Sequence, residues 1–429
     1  MRILRYTDAA FADELCRLNR RAEAADQVRE VVAGILHEVR TRGDAALLQL
    51  THQFDGADLA VEQLRVTTVE LESAVDALEP RVRQALEASK RNVQAFAHQS
   101  LRKPWTMINE QGGEIGEVFH PFERVGVYVP GGTAPLVSTS MMTVAIAAAA
   151  GVPEIVVCTP CGKDGTVNPN LLAALRLAGA TEVYRIGGAQ AIAAMAYGTD
   201  TIAPVAKLFG PGNSYVVEAK RQVFGLVSVD LLPGPSEVMV LADQSANPAF
   251  VAADLLAQAE HGKGSGVGFV TDDESLLHAV LREIETQGTT LSRQDLVRDV
   301  LDKDCFFILV PSLEEGVEIV NAYAPEHLSL IAEREHDLLP LIRHAGAIFL
   351  GNYSPVAVGD FLAGPSHTLP TGGSGKSFPG ITADMFQKRT SIVRLSPAAC
   401  AASEPIVRIF GEIEGLDAHG NSVSARLRE

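Results

Sequence analysis

Short apolar runs alternate with longer amphipathic or alanine-rich stretches through most of this chain, and each run has the length of a strand rather than of a helix. The run RVGVYVPGG predicts a strand ending in Pro130, Gly131 and Gly132. An alanine-rich helix from about Ser138 follows, then the strand EIVVCTP, the helix NLLAALRLAG, the strand EVYRIGG and the helix AQAIAAMAYG. A second series begins with a helix closing at His261 and continues through the strand GVGFVT, a helix through Leu276 and Ile284, and the strand CFFILV. It ends with the helix LEEGVEIVNAY, an apolar strand over 328–331 and the strand GAIFLG. Because these strands are apolar throughout rather than alternating, both of their faces must be covered, as in parallel sheets flanked by helices. The expected fold class is therefore α/β with two parallel-sheet domains. Residues before about Leu101 read as helical, and Trp105 opens an irregular stretch.

Composition narrows the function classes. A chain of 429 residues exceeds a single core, and 47% apolar residues suffice to fill more than one. The formal charge of -17 opposes nucleic acid and anionic membranes as partners, and no Lys/Arg cluster interleaved with aromatics offsets it. The first residues lack a charged leader with an apolar stretch behind it, and the longest apolar run, around 144–152, is too short to span a bilayer. A cytoplasmic protein is expected. The cysteines number five, an odd count that does not form a disulfide framework. Cys158 and Cys161 are spaced as Cys-x-x-Cys, but no second pair completes a zinc site and the glycines and proline after them make a loop, so they read as incidental thiols.

Acid, amide and histidine residues cluster downstream. Gln258 and His261 stand three apart at the end of a helix that Asn247 caps, Pro248 opens and Gly262 stops. The negative end of that helix dipole favours a cation there by roughly 0.3–1 kcal/mol. Glu326 and His327 stand at a loop-to-strand junction after Pro325, Asp360 and His367 share the next cluster, and Glu414 and His419 lie near the C-terminus. Each pair alone also fits a solvated surface.

Dinucleotide binding has thinner support. The fingerprint Gly-x-Gly-x-x-Gly is absent, because Gly187 and Gly188 run into Ala189, Gln190 and Ala191 and no acidic ribose ligand follows at the usual distance. The helix opening at Ala189 still offers backbone N–H groups to a phosphate, and the turn LFGPGN at 208–213 permits close approach. Tight turns that need glycine explain both features equally well.

The ordered set VGVYVPGG, GGAQAIAA, FGPGN, VDLLPGPSEV, LLAQAEHG, APEHL, GDFLAGPSHTLPTGG, DMFQKRTS and EGLDAHG resembles the L-histidinol dehydrogenase family, from about Trp105 to His419. The resemblance implies a zinc-dependent, NAD-linked oxidation of L-histidinol through L-histidinal to L-histidine, the last step of histidine biosynthesis, with two NAD reduced per turnover. It implies one Zn2+ per subunit, held by Gln258, His261, Asp360 and His419. His327 would act as base for the alcohol proton and Glu326 as base for the water that hydrates the aldehyde. Ser236, Gln258, His261, His327, Asp360, His367, Glu414 and His419 would contact substrate, and Tyr128, Gln190 and Asn213 would hold NAD. It also implies a homodimer whose active site is shared, with the C-terminal segment reaching the neighbouring subunit.

The same resemblance gives two Rossmann-like domains lacking the usual fingerprint, with small helical N- and C-terminal segments. The expected division is an N-terminal helical arm (1–22), a zinc and substrate domain (23–127 with 237–380), an NAD domain (128–236) and the C-terminal segment (381–429). The glycine-rich 262–268 and Lys376 depart from the pattern and flank the expected site. NAD-dependent oxidation of another small alcohol, such as a sulfonated propanediol, is the alternative. A metal-dependent hydrolase or a non-enzymatic zinc protein accounts for fewer of these residues.

Overall fold

The computed structural model describes residues 1–18, 26–131 and 135–428. The expected boundary at 22/23 and Gly132 lie outside the described residues. In chain order the strands are β1 (Arg2–Arg5), β2 (Trp105–Ile108), β3 (Glu114–Pro121), β4 (Arg124–Tyr128), β5 (Glu154–Thr159), β6 (Glu182–Arg185), β7 (Lys207–Phe209) and β8 (Ser228–Val229). The later strands are β9 (Glu237–Ala242), β10 (Gly266–Thr271), β11 (Cys305–Leu309), β12 (His327–Ile331), β13 (Ala347–Leu350) and β14 (Gln387–Arg394).

Two of the sheets are wholly parallel, as the apolar runs predict. The six-stranded sheet has the order β1-β11-β10-β9-β12-β13 and the five-stranded sheet the order β6-β5-β4-β7-β8. Every residue of β9, β10 and β12 is buried, so helices cover both faces. The strand order reverses between β9 and β12 in the larger sheet and between β4 and β7 in the smaller.

A third sheet, antiparallel and ordered β14-β3-β2, has no counterpart in the sequence reading. Trp105 opens β2 rather than an irregular stretch. All four residues of β2 are exposed, so no buried face imposes the alternation that would reveal a strand. The N-terminal arm also differs from expectation, because β1 pairs in parallel with β11 before the helix Phe11–Leu18 begins. The sequence RILR buries only Leu4 at this sheet edge.

The cores divide the chain differently from the expected domains. Val32, Ile35, Leu36 and Leu47 share one apolar cluster with Val156, Tyr184 and Ile192. Leu71, Leu86 and Val93 share another with Val125, Val157 and Phe209. Helices Asp26–Arg42, Asp44–Asp55, Thr68–Asp76 and Pro80–Ser100 thus share the cores of the five-stranded sheet, packing against the helices that flank it. Grouping 23–127 with 237–380 is therefore not how the apolar cores are shared, and β4 opens that sheet at Arg124, ahead of 128. An amphipathic stripe fixes which helix face is buried but not which sheet receives it.

Residues 362–386 run between the two parallel sheets. Asn92 Nδ2 donates to the Leu362 carbonyl at 2.9 Å, Ser366 Oγ to the Met142 carbonyl at 2.8 Å, and Lys207 Nζ to the Met385 carbonyl at 2.8 Å. Phe386 stacks on Phe209 with ring centroids 3.8 Å apart. Beyond β14, helices Pro397–Glu414 and Asp417–Ala425 pack on each other as a hairpin that leaves Ile406, Ile409, Phe410 and Ile413 exposed. Among the described residues, no helix is long and apolar enough to cross a membrane.

Candidate active site

The helix Pro248–Ala259 starts as its sequence requires. Asn247 caps it by accepting from the Ala249 N–H at 3.0 Å, and Pro248 occupies the first turn. It ends at Ala259 with Glu260 as cap, so His261 stands in the turn beyond rather than closing the helix. The His261 N–H donates to the Gln258 carbonyl at 3.1 Å, and Gly262 takes φ +99, which glycine adopts without strain. Gln258 is consequently buried at 3% exposure while His261 is exposed.

That helix returns antiparallel to its strand, and its last turn arrives at the amino edge of the six-stranded sheet. At the same edge β9 and β12 lie side by side with His327 opposite Val238, which sets Glu326 against Glu237. Ala324, at φ 56, is the one described non-glycine residue with positive φ, a conformation that costs roughly 1–2 kcal/mol. It ends the helix Leu313–Tyr323 and turns the chain toward Glu326.

Glu326 is buried, and its Oε2 accepts from Ser236 Oγ at 2.6 Å and from the Glu237 N–H at 2.8 Å. Burial pushes its carboxyl above the usual range, while the neighbouring His327 and both donors act in the opposite direction. His327 Nδ1 lies 3.1 Å from the Glu237 carbonyl and 3.5 Å from Glu326 Oε2. A carbonyl only accepts, so Nδ1 carries a proton and, in the neutral ring, Nε2 keeps the lone pair. That Nε2 points to Asp360, 3.5 Å from its Oδ1.

Burial opposes a charge on His327, yet the carboxylates of Glu326 and Asp360 outweigh it and raise the ring to about 9. Burial likewise works against ionised Asp360, but the His327 hydrogen bond and the charges of His327, His367 and His261 bring it below its ordinary value. Burial drives His367 down to about 4, against the pull of Asp360. His327 and His367 both line an open, largely apolar cavity of ≈ 430 Å³ with Phe349, Val358, Pro365 and Leu369.

One chain thus brings together Ser236, Gln258, Glu326, His327, Asp360 and His367, with His261 close enough to act electrostatically on Asp360 and His367. It does not bring in Glu414 or His419. Both are exposed on the C-terminal hairpin, and no contact places them beside this cluster. Among the described residues, no group of three or more His, Cys, Asp or Glu side chains could hold a metal. Within one chain the expected ligand set offers only His261 and Asp360 of those types, with Gln258 beside them. The Gln258 amide is poorly used by the protein alone: Oε1 is 3.4 Å from Ser236 Oγ and buried Nε2 has no partner.

The second site lies at the carboxyl edge of the five-stranded sheet. Tyr128, Gln190 and Asn213 line one cavity of ≈ 620 Å³, together with Pro130, Gly131, Pro160 and Gly188. These residues end or follow β4, β5, β6 and β7 and straddle the reversal of strand order, where open parallel sheets receive ligands. The Gly188 N–H donates to the Tyr128 hydroxyl at 3.1 Å, and Asn213 caps helix Ser214–Val223. Gly210, at φ +108, lies so close to β4 that a Cβ there would stand 2.1 Å from the Tyr128 carbonyl oxygen. Fully buried Lys220 donates to the Gly210 carbonyl at 3.0 Å and pairs with Asp230, which accepts from the Gly210 N–H at 2.8 Å. This buried pair fixes the turn that presents Asn213. Neither its charges nor their role could be read from spacing.

Other sequence features resolve simply. Cys158 and Cys161 are free, and burial raises both thiols, Cys161 to about 11. Lys376 donates to the Ala322 carbonyl at the end of helix Leu313–Tyr323, an anchoring role outside the cluster. In the glycine-rich segment, residues from Gly266 form β10 itself.

Comparison with known proteins gives a consistent family. A family model described as histidinol dehydrogenase matches residues 18–427. A histidinol dehydrogenase of Syntrophotalea carbinolica is 43% identical over 430 residues, covering 100% of both chains. One from Rhizobium meliloti is 43% identical over 425 residues, covering 99% of this chain and 98% of the relative. The crystal structure of histidinol dehydrogenase from Elizabethkingia anophelis superimposes with a TM-score of 0.95 at 35% identity, covering 100% of this chain and 98% of the other.

Proposed function

The chain belongs to the histidinol dehydrogenase family, and from that premise we propose that it oxidises L-histidinol to L-histidine through L-histidinal, using zinc and two NAD. The observation that carries this reading is the buried Glu326–His327 pair, 3.5 Å apart and differently hydrogen-bonded. Each of two oxidations at one carbon requires a proton acceptor, and the site supplies two with distinct environments.

The donor set fits zinc in its chemistry: a neutral amide oxygen from Gln258, imidazoles from His261 and His419, and the Asp360 carboxylate. Gln258 Oε1, 3.4 Å from a Ser236 hydroxyl whose proton is donated to Glu326, keeps its lone pairs for a metal. His419 would come from a second copy of the chain, since its own hairpin stands apart with an exposed apolar face. Glu414 would reach the substrate by the same route. Bound there, zinc would hold the substrate's imidazole and amino nitrogens, and NAD would accept hydride.

The protein's own groups then divide the protons. His327 Nε2 takes the alcohol proton as hydride departs, because its other nitrogen is committed to the Glu237 carbonyl. Engagement of Asp360 by a cation would remove much of the attraction that keeps His327 protonated. Glu326, which accepts from Ser236 and the Glu237 N–H through Oε2, takes a proton from the water that adds to the aldehyde. Ser236 orients Glu326, and His367 faces the substrate from the cavity wall. Tyr128, Gln190 and Asn213 would hold NAD in the cavity they line.

A substrate panel tests this reading. Zinc-loaded protein with NAD is offered histidinol, histidinal, a dihydroxypropane sulfonate and simple alcohols, and NADH absorbance is followed. Turnover with histidinol and histidinal above all others is expected. Preference for another alcohol, or no NADH with any, overturns the assignment.

A further inference from the structure

The cavity at the carboxyl edge of the five-stranded sheet contains a group that neither the sequence motifs nor the acid–base chemistry uses. Asp55 is the last residue of helix Asp44–Asp55, where Gly56 caps the helix in the left-handed conformation. Its carboxylate turns inward. It lines the cavity with Tyr128, Gly188 and Gln190, and its buried Oδ2 has no hydrogen-bond partner. A Cβ built on Gly187 would stand 3.3 Å from that oxygen, which places the carboxylate beside the turn after β6.

A second observation at the same cavity points to a ligand. Gln190 is 1% exposed, lines the cavity and has an amide nitrogen without a partner. An orphaned acceptor and an orphaned donor in one cavity are complementary to a polar molecule that both donates and accepts. Buried polar groups are otherwise almost always satisfied.

We propose that Asp55 binds the adenosine ribose of NAD, accepting hydrogen bonds from its 2′- and 3′-hydroxyls and so excluding a cofactor phosphorylated at the 2′ position. This rests on the NAD reading above. An unpartnered carboxylate repels phosphate and accepts from hydroxyls, so the dinucleotide's pyrophosphate cannot lie against it. Among the described residues, no lysine or arginine lines the cavity to neutralise a 2′-phosphate. The adenosine end is favoured over the nicotinamide end because the walls come from the five-stranded sheet and from Val31, Ile35 and Phe54 of the helices that share its cores. None comes from the six-stranded sheet that carries His327. Phe54, next to Asp55 and 52% exposed, offers a flat apolar surface for the adenine.

The test is direct binding, free of turnover. Full-length wild type and Asp55→Asn are titrated calorimetrically with NAD, NADP and NAD lacking the adenosine 2′-hydroxyl. Wild type should bind NAD best and lose about tenfold when the 2′-hydroxyl is removed, the worth of one hydrogen bond to a charged acceptor. Asp55→Asn should weaken NAD by about tenfold or more, become indifferent to the 2′-hydroxyl, and narrow the preference over NADP. If the variant fails to fold, the wild-type comparison of NAD with its 2′-deoxy form still decides. Wild type that binds NAD yet ignores the 2′-hydroxyl overturns the role of Asp55 alone, as does a variant that loses all three ligands equally. Wild type that binds no dinucleotide overturns the NAD reading as well.

Discussion

Ser236 and Glu326 are joined by a 2.6 Å hydrogen bond across the amino ends of two neighbouring parallel strands, with the Glu237 N–H donating to the same carboxylate oxygen. Both donors favour the ionised form of a group that burial pushes the other way. Ser236→Ala removes one of them, so the carboxyl must rise further and the acid limb of the kcat/KM profile should move to higher pH by about one unit. A pH–rate series checks the direction. In the same site Glu326→Gln should slow histidinal oxidation far more than histidinol oxidation, by on the order of 10²–10⁴. Equal losses in both steps would remove Glu326 from its role as base for water.

Metal content offers a separate test. With Gln258 buried in the last helical turn and His261 in the turn beyond it, His261→Ala should lower bound zinc and raise the apparent KM. Chelation should abolish wild-type turnover, and added zinc should restore it. Full metal occupancy in the variant, measured by elemental analysis, would exclude His261 from the ligand set.

Sharing between subunits can be read from mixtures. His327 sits at the sheet edge, whereas His419 lies on the C-terminal hairpin, away from that edge. Inactive His327→Ala and inactive His419→Ala chains, refolded together, should regain activity because each mixed dimer holds one intact site. Mixed dimers verified by mass spectrometry that stay inactive would refute the sharing.

Stability should depend on acid through Glu182. Arg124 donates to both of its oxygens, at 2.7 and 2.9 Å, and Tyr184 donates at 2.7 Å. The Arg124 hydrogen bonds, acting against burial, lower the carboxyl to about 2 from its ordinary 4.5. The unfolded chain therefore binds the extra proton first, and the contribution is complete above about 4.5 and lost as pH falls toward 2. Glu182→Gln should cost about 1.5–3 kcal/mol near neutrality, the range for charge-assisted hydrogen bonds. Denaturant melts of both proteins should converge as pH falls through that window, and a difference that stays constant would contradict the linkage.

What the sequence made legible follows from burial. Strands β10 and β12 of the six-stranded sheet, and β4 and β5 of the five-stranded sheet past their first residues, are buried and appear as apolar runs, so both parallel sheets could be anticipated; β9, equally buried, is not among the strands read from the sequence. β1, β2 and β14 escaped because edge and exposed strands carry no such signal: RILR buries one residue and WTMI none. The pairing of helices 26–100 with the five-stranded sheet was hidden too, since an apolar stripe does not name its partner. At the site, Asn247, Pro248 and the Glu326–His327 junction were local signals and stand where expected. Asp55 reaches its cavity only through contacts with distant segments, and the Lys220–Asp230 pair closes across ten residues with no local pattern to mark it.

The most direct measurement is the stoichiometry of a limited reaction. Zinc-loaded protein is given histidinol as limiting reagent with excess NAD, and NADH and products are quantified at completion. The account predicts two NADH and one histidine per histidinol consumed. One NADH with histidinal left in solution, or no NADH at all, would contradict it.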